Sequence, residues 1–218
     1  MISQINKTTK VIIGVASLNQ FDITSLQHSE RIPPWVKEKA SELASKRQLQ
    51  FLACRFLLAE LLHQHWSIET LPLIKAKKNN RPAFVDPTLP DFNISHSGDY
   101  IAVAVCQNGQ IGLDIEQQRP RDNIEKIAGQ FFSVDEFSWL HKQPDKLSAF
   151  WKLWTLRESA LKLYAKGVWQ MREVVINPDT LIVNATFADA FYSTYQQINN
   201  VHLSLCCNRS IDILQIIA

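Results

Sequence analysis

The sequence predicts an α+β fold in which helices and antiparallel strands are mixed. Short apolar segments typical of strands occur near the start, in the middle and near the end of the chain. Longer segments with apolar residues at helical spacing lie between them, without the regular alternation of strand and helix that builds a parallel sheet. The chain has 218 residues, of which 46% are hydrophobic, so it is large enough for one big core or two small ones.

Runs of branched and aromatic apolar residues predict the strands, and apolar residues three and four apart predict the helices. In chain order, the predicted elements are a strand at residues 11–16, helical structure with a break at 34–65, strands within 92–115 joined by a turn around Gly109, helical pieces at 123–141, a helix at 150–165, and strands at 173–177, 181–187 and 201–207.

Two acidic residues stand two positions apart in the apolar segment Ile-Gly-Leu-Asp-Ile-Glu that begins at Ile111. Because side chains alternate along a strand, Asp114 and Glu116 should point to one face. Two adjacent carboxylates repel each other, and a bound cation relieves the repulsion. Oxygen ligands favour Mg2+, and Gly112 would let a backbone or ligand approach closely. The alternative is an edge strand whose acidic face is solvated.

The segment from Trp151 to Gly167 predicts an amphipathic helix. Glu158 and Lys162 are one turn apart on it and therefore lie on one flank, which also carries Trp154. An isolated pair of this kind is usually a solvated ion pair, but bulky Trp side chains are uncommon on a solvated flank. Such a glutamate can serve as a metal ligand or general base, and the lysine can neutralise a leaving phosphate.

A polar cluster, Ser95 to Gly98, separates a turn-rich segment from the apolar run that starts at Tyr100. We predict a compact loop there, whose hydroxyls, imidazole and backbone amides could bind an anion. The Ser-His pair also suggests a hydrolase. We discount this because adjacent residues seldom reach nucleophile and base geometry, and no G-x-S-x-G elbow is present.

Taken together, Asn-Ile-Ser-His-Ser, Gly-Leu-Asp-Ile-Glu and Trp-Thr-Leu-Arg-Glu-Ser-Ala-Leu-Lys, in this order, resemble the 4'-phosphopantetheinyl transferases of the Sfp type. The resemblance is clear over residues 81–170. It implies an enzyme that moves the phosphopantetheine arm of coenzyme A onto a serine of an apo carrier protein and releases adenosine 3',5'-bisphosphate. It also implies a monomer of two similar halves, 1–108 and 109–218, related by a pseudo-twofold axis, with the active site in the cleft between them.

The resemblance further implies a role for individual residues. Asp114, Glu116 and Glu158 match the ligands of Mg2+, for which Mn2+ is the alternative, and Glu158 also matches the base that deprotonates the carrier serine, directly or through water. Lys162 matches a lysine that contacts the pyrophosphate of coenzyme A. The remaining matches, all toward coenzyme A phosphates or its 3'-phosphoadenosine end, are Arg55, Arg81, Ser95, His96 and either Lys46 or Arg47. Arg157 replaces a lysine found in many relatives, which leaves its role open.

The carrier protein should dock near residues 117–132, where Ile124, Ile127 and Phe131 share a helical face and Arg121 could meet an acidic side chain. Core packing explains the three apolar residues equally well. The chain carries no recognised nucleic-acid-binding motif, no membrane span and no signal peptide, so a cytoplasmic enzyme is expected. Cys54, Cys106, Cys206 and Cys207 lack metal spacing and should be buried free thiols.

Two other functions fit the same residues. A Mg2+-dependent phosphohydrolase would use the same carboxylates with water as the nucleophile, and it would release phosphopantetheine without a carrier. A non-catalytic module that binds coenzyme A or a carrier protein would need no intact acidic constellation, whereas this sequence retains Asp114, Glu116 and Glu158.

Overall fold

The computed structural model describes residues 8–77, 80–188 and 191–218 and confirms the α+β class. The first part of the chain contains, in order, β1 (Lys10–Ser17), α1 (Ile23–His28), α2 (Pro34–Ser41), α3 (Ser45–Trp66), β2 (Ile74–Ala76), β3 (Pro82–Phe84), β4 (Asp91–Ser97) and β5 (Tyr100–Gln107). The rest contains β6 (Ile111–Gln117), α4 (Ile124–Phe131), α5 (Val134–His141), α6 (Lys146–Leu163), β7 (Val174–Asn177), β8 (Ile182–Ala185), β9 (Tyr192–Ile198), β10 (Val201–Cys207) and β11 (Ile213–Ile217).

Two sheets organise these elements. The first has the strand order β11-β1-β5-β4 and the second has the order β6-β10-β9, and two small hairpins, β2-β3 and β7-β8, stand apart from them. In each sheet a first strand is followed by helices and then by a hairpin whose second strand lies next to the first strand. This shared topology matches the similarity of the two halves that the resemblance implies.

The strand β11 departs from the predicted arrangement in two ways. It pairs with β1, so residues 213–217 belong to the sheet of the first half although the predicted division assigns them to the second. The pairing is parallel, whereas only antiparallel sheets were expected. The other strand pairs of both sheets are antiparallel.

The inner faces of the two sheets pack against each other. Side chains of Val11 and Ile13 on β1, Ala104 on β5, Leu113 on β6 and Leu205 on β10 are fully buried in this contact. Helix α3 covers the other side of the first sheet, and α6 covers the other side of the second. The chain is therefore layered as helix, sheet, sheet and helix.

Helix α6 begins four residues earlier than predicted, because the Asp145 side chain accepts a hydrogen bond from the Ser148 amide at 2.9 Å and caps the first turn. The predictions did not include β9, whose sequence is mostly polar, nor β11 and α1. Within the described residues, no helix combines the length and apolar character needed to cross a membrane.

Candidate active site

The site is built where β4 approaches the outer edge of β6. The polar residues Ser95 and Ser97 lie in the strand β4, and only Gly98 and Asp99 form the turn, so the predicted compact loop at 95–98 is wrong. A strand forms because Ser95, His96 and Ser97 pair with Ala102, Ile101 and Tyr100 of β5. Alternate polar residues of a strand share one face, and here that face meets β6.

Three side chains of β4 bond to the backbone of β6 and hold the two sheets in register. Each accepts a hydrogen bond from an edge amide of β6 that has no strand partner on that side. The pairs are Asp91 with Ile111 at 2.9 Å, Asn93 with Leu113 at 3.0 Å, and Ser95 with Ile115 at 3.1 Å.

Asp114 is 4% exposed and accepts two hydrogen bonds at the same oxygen. Ser95 Oγ donates to Asp114 Oδ1 at 2.9 Å, and Lys162 Nζ donates to it at 2.6 Å. Lys162 Nζ also donates to Ser95 Oγ at 2.9 Å, which closes a triangle of three groups. Burial raises the pKa of Asp114, and the ammonium of Lys162 opposes that rise.

Glu116 lies on the same face as Asp114, as predicted, because both carboxylates meet the serines of β4. Ser97 Oγ donates to Glu116 Oε2, and the guanidinium of Arg119 lies 3.7 Å from that oxygen. Burial raises the pKa of Glu116, the bond from Ser97 lowers it, and the nearby charge of Asp114 raises it again.

Glu158 on α6 is the third acidic residue of the site. Burial raises its pKa to about 7, and the negative charges of Asp114 and Glu116 contribute to the rise while Lys162 opposes it. A carboxyl group with this pKa exchanges protons near neutral pH. Lys162 bonds to Asp114 of β6 instead of forming the solvated pair with Glu158 that was the alternative for this helix.

Gly112 allows α6 to reach this position. A Cβ at Gly112 would lie 2.0 Å from the carbonyl oxygen of Ser159 and 2.4 Å from the amide nitrogen of Leu163, both of which are backbone atoms. The prediction that Gly112 permits a close approach is confirmed, and the approaching group is the backbone of α6.

The three acidic residues fit a hard cation in their chemistry. All their donors are oxygens, and Asp114 Oδ2 is buried without a hydrogen-bond partner, which leaves one acceptor for a further cation. Within residues 8–77, 80–188 and 191–218, however, no group of three His, Cys, Asp or Glu side chains is assembled closely enough to hold a metal ion. Lys162 instead supplies the positive charge at Asp114.

His96 and Arg81, which the resemblance implies contact coenzyme A, differ in their exposure and in their hydrogen bonds. The His96 side chain is accessible to solvent, and partial desolvation of its ring together with the charge of Lys162 lowers its pKa, which favours the neutral imidazole. Arg81 is 7% exposed and bonds through both terminal nitrogens to Asp91, and also to the carbonyls of Phe92 and Ile111. Its guanidinium therefore joins β4 to β6, and it stands beside a cavity of about 340 Å³ that Lys162 also lines.

The other basic candidates lie on α3. The guanidinium of Arg55 is 4.3 Å from the ring centroid of Phe51, burial lowers its pKa, and its Nε has no hydrogen-bond partner. Lys46 and Arg47 are both exposed in the first turn of the helix.

Arg157 has a structural role. Its side chain is fully buried and forms an ion pair with Glu136 of α5, and it also donates to the carbonyls of Met171 and Val174. Glu136 in turn accepts a bond from the Ile176 amide at 2.6 Å. The pair fixes α6, and therefore Glu158, to the neighbouring elements.

The predicted docking segment lies beside this site. Ile124, Ile127 and Phe131 pack partly buried against the core around α6, which agrees with the packing explanation given for them. Arg121 lies over three rings of α6, with its guanidinium carbon 5.7, 5.4 and 5.3 Å from the centroids of Phe150, Trp151 and Trp154.

Sequence reasoning missed the roles of Asn93, Asp91 and Ser97. The available signal was the alternation of polar side chains at 91, 93, 95 and 97 with other residues, because such a row on one strand face predicts a hydrogen-bonding edge. The interpretation of 95–98 as a loop concealed it.

Comparisons with known proteins show the family to which the chain belongs. A family model described as the 4'-phosphopantetheinyl transferase superfamily matches residues 110–206, which include the three acidic residues and Lys162. The 4'-phosphopantetheinyl transferase AcpT of Escherichia coli (strain K12) is 33% identical over 178 residues, or 80% of this chain and 82% of the relative. A putative 4'-phosphopantetheinyl transferase of Haemophilus influenzae is 34% identical over 74% of this chain and 71% of its own length. The psf-1 transferase of Bacillus pumilus is 32% identical over 67% and 65%. The chain thus belongs to the 4'-phosphopantetheinyl transferase superfamily.

Proposed function

We propose that this enzyme transfers the 4'-phosphopantetheine of coenzyme A to a serine hydroxyl of an apo carrier protein. The observation that carries the proposal is Glu158, a carboxyl group with a pKa of about 7 next to two further carboxylates and to a lysine bonded to Asp114. Relatives named as 4'-phosphopantetheinyl transferases align with most of the chain.

Glu158 is the proposed general base. In the reaction the serine oxygen forms a bond to the phosphorus that carries pantetheine, the bond from that phosphorus to adenosine 3',5'-bisphosphate breaks, and the serine proton is removed. A base with a pKa close to the working pH combines a large deprotonated fraction with useful basicity. Glu158 has this property because it is buried beside Asp114 and Glu116.

Lys162 is the proposed counter-charge for the leaving group. The Lys162 side chain is 31% exposed, and it lines the same cavity as Asn93 and Arg81. Phosphoryl transfer depends mainly on positioning and on neutralising charge on the phosphate oxygens, which a fixed ammonium group does. We therefore propose that Lys162 contacts the pyrophosphate of coenzyme A.

Mg2+ is the proposed metal, with Mn2+ as the alternative, and Asp114, Glu116 and Glu158 are the residues that would hold it. When bound, such an ion neutralises phosphate charge and orients the diphosphate. The free Oδ2 of Asp114 supports this assignment, since a buried carboxylate oxygen without a partner favours a cation.

For the rest of coenzyme A we propose Ser95 and His96 as contacts of the 3'-phosphoadenosine end and Arg55 and Arg81 as contacts of phosphates. Arg81 would contact a phosphate while its guanidinium stays paired with Asp91. We also propose a cytoplasmic monomer whose carrier partner docks near residues 117–132, where Arg121 is available.

The test is intact mass spectrometry of a purified apo acyl carrier protein after incubation with the chain, coenzyme A and Mg2+. We expect the carrier to gain one phosphopantetheine group, and we expect Glu158→Gln and a chelator each to abolish the gain. Glu38→Gln, at an exposed glutamate of α2, is the matched control and should retain full transfer.

Two results would contradict the proposal. Release of free phosphopantetheine without any carrier would show the phosphohydrolase instead. Binding of coenzyme A with no transfer to fatty-acid, polyketide or peptidyl carriers would show the non-catalytic module.

A further inference from the structure

Two thiols meet in the contact between the two sheets, away from the acidic site. Cys106 ends the buried part of β5, and Cys207 is the last residue of β10. A Cβ built at Gly109 would lie 3.0 Å from Cys106 Sγ and 3.2 Å from Cys207 Sγ, so the two sulfurs are at most 6.2 Å apart. Both side chains are fully buried in the same apolar cluster.

The closeness of the two sulfurs affects the acidity of both thiols. Hydrogen bonding from the Cys106 thiol lowers the pKa of Cys207 to about 7, and the same pairing raises the pKa of Cys106. The amide of Arg209 also bonds to Cys207 and lowers its pKa. A thiolate is the reactive form of cysteine toward oxidants, so Cys207 is the nucleophilic member of the pair.

The other two cysteines have different surroundings. Cys206 points to the opposite face of β10, where Ser159 Oγ lies 3.3 Å from its sulfur, and burial raises its pKa to about 12. Cys54 lies in α3 within a separate core cluster, and burial raises its pKa to about 12 as well. Neither thiol faces the pair.

Two cavities lie close to the pair. One cavity of about 840 Å³ is lined by Cys106 and Gly109, and a second of about 350 Å³ is lined by Gly109 and Arg209. Gly109 lines both cavities and lies next to both sulfurs, so a local opening at this glycine would admit a small oxidant to the pair.

We propose that Cys106 and Cys207 form a redox-active thiol pair that a hydroperoxide converts into a disulfide between the two sheets. The Cys207 thiolate attacks the peroxide oxygen and the O–O bond breaks, which yields a sulfenic acid and releases an alkoxide, or hydroxide when the oxidant is hydrogen peroxide, that takes up a proton from solvent. The Cys106 sulfur then attacks the Cys207 sulfur, the S–S bond forms, and the hydroxyl group leaves with the Cys106 proton as water. Two thiols are oxidised and one peroxide is reduced.

A disulfide between Cys106 and Cys207 would link the two sheets covalently. Cys106 belongs to the sheet that supplies Ser95, and Cys207 belongs to the sheet that supplies Asp114. A disulfide would therefore fix the two sheets relative to each other on the face opposite to the acidic residues.

The experiment treats the folded full-length chain with hydrogen peroxide, blocks remaining thiols with a maleimide in denaturant, and maps cross-linked peptides without reduction. We expect the number of free thiols to fall from four to two, with Cys106 joined to Cys207. Cys54→Ala should behave as the wild type, and Cys207→Ala should form no cross-link. The melting temperature should rise on oxidation and return on reduction, since the bond closes a long loop.

Unreacted Cys106 and Cys207 in the folded wild type, or a Cys206 to Cys207 bond as the main product, would overturn the proposal. The wild-type peptide map decides the matter even if Cys207→Ala fails to fold. A fall in the melting temperature on oxidation would show that the native geometry does not accommodate the bond.

Discussion

The ammonium of Lys162 lies 2.6 Å from Asp114 Oδ1, while Oδ2 of the same carboxylate is buried without a partner. Oδ1 of Asp114 thus accepts bonds from Lys162 on α6 and from Ser95 on β4, whereas Oδ2 accepts none. The arrangement places a lysine where it competes with any further cation for Asp114.

Replacement of Lys162 by Met should separate these two roles. Removal of the competing ammonium should tighten binding of Mn2+ to the coenzyme A-free protein by about tenfold, or about 1.4 kcal/mol. Transfer should fall by about a hundredfold, because a positioned donor to the phosphate is lost. Calorimetric titration with Mn2+ and the carrier assay measure the two effects. Lys39→Met, at an exposed lysine of α2, is the control and should change neither.

The rate of transfer should depend on the protonation of Glu158. Its pKa is raised to about 7 in the metal-free protein, and because a bound Mg2+ would favour the carboxylate, the inflection should lie at or below about pH 7 when the metal is present. We expect kcat/KM to increase tenfold per pH unit below the inflection and to level off above it. In Glu158→Gln the residual rate should lack this inflection. An unchanged inflection in the variant would assign the titration to another group.

The same group should also affect stability in metal-free buffer. The folded-state pKa of Glu158 is about 7 and its ordinary value is 4.5, so the folded protein binds the proton more tightly. Its contribution to stability is present below about pH 4.5 and is lost as the pH rises through about 7. At about pH 8, Glu158→Gln should therefore be more stable than the wild type by up to about 3 kcal/mol. Urea unfolding at about pH 8 and about pH 5 measures the difference, which should shrink at the lower pH.

The buried pair of Arg157 and Glu136 should be sensitive to the loss of one partner. Arg157→Met leaves the Glu136 carboxylate buried without its counter-charge, which should lower the free energy of unfolding by about 3 to 5 kcal/mol. The double variant Arg157→Met with Glu136→Met removes both charges and should recover most of that loss. Arg157→Lys should be intermediate, because lysine lacks the fork that reaches Met171 and Val174.

Gly112→Ala should test the contact between β6 and α6. The added Cβ would overlap the backbone of Ser159 and Leu163, so the helix must move away from the strand. We expect a loss of stability of several kcal/mol by thermal unfolding, together with a loss of transfer, because Lys162 would be drawn away from Asp114. Gly129→Ala is the control, since its Cβ would meet only Phe137 at 3.8 Å, an ordinary contact.

The sequence predicted the parts of the fold that depend on local patterns. Branched apolar runs located β1, β5, β6 and β10, and helical spacing located α3 and α6. It did not predict β11, because parallel pairing with β1 joins segments about 200 residues apart and no local pattern encodes the partner. The strand β9 was missed because its Tyr, Gln, Ser and Thr residues produce no apolar run.

For the site, spacing alone correctly placed Asp114 and Glu116 on one strand face and located Glu158 and Lys162 on α6. It could not reveal that Lys162 bonds to Asp114, since this contact depends on how closely α6 packs on Gly112. Nor could it distinguish Arg157, which is buried in an ion pair, from a basic residue at a binding surface. That distinction requires the position of Glu136, twenty-one residues away on another helix.

The pairing of β11 with β1 affects how the chain can fold during its synthesis. A chain emerging from the ribosome completes β1, β5 and β4 long before residues 213–217 exist, so the outer edge of β1 has no neighbour during most of translation. That edge presents unpaired amides and carbonyls in a strand rich in Val and Ile, the kind of edge that recruits other chains. Pairing of residues 213–217 with β1 covers this edge, so a chain truncated before residue 213 should associate with other chains even though every residue of the acidic site is present.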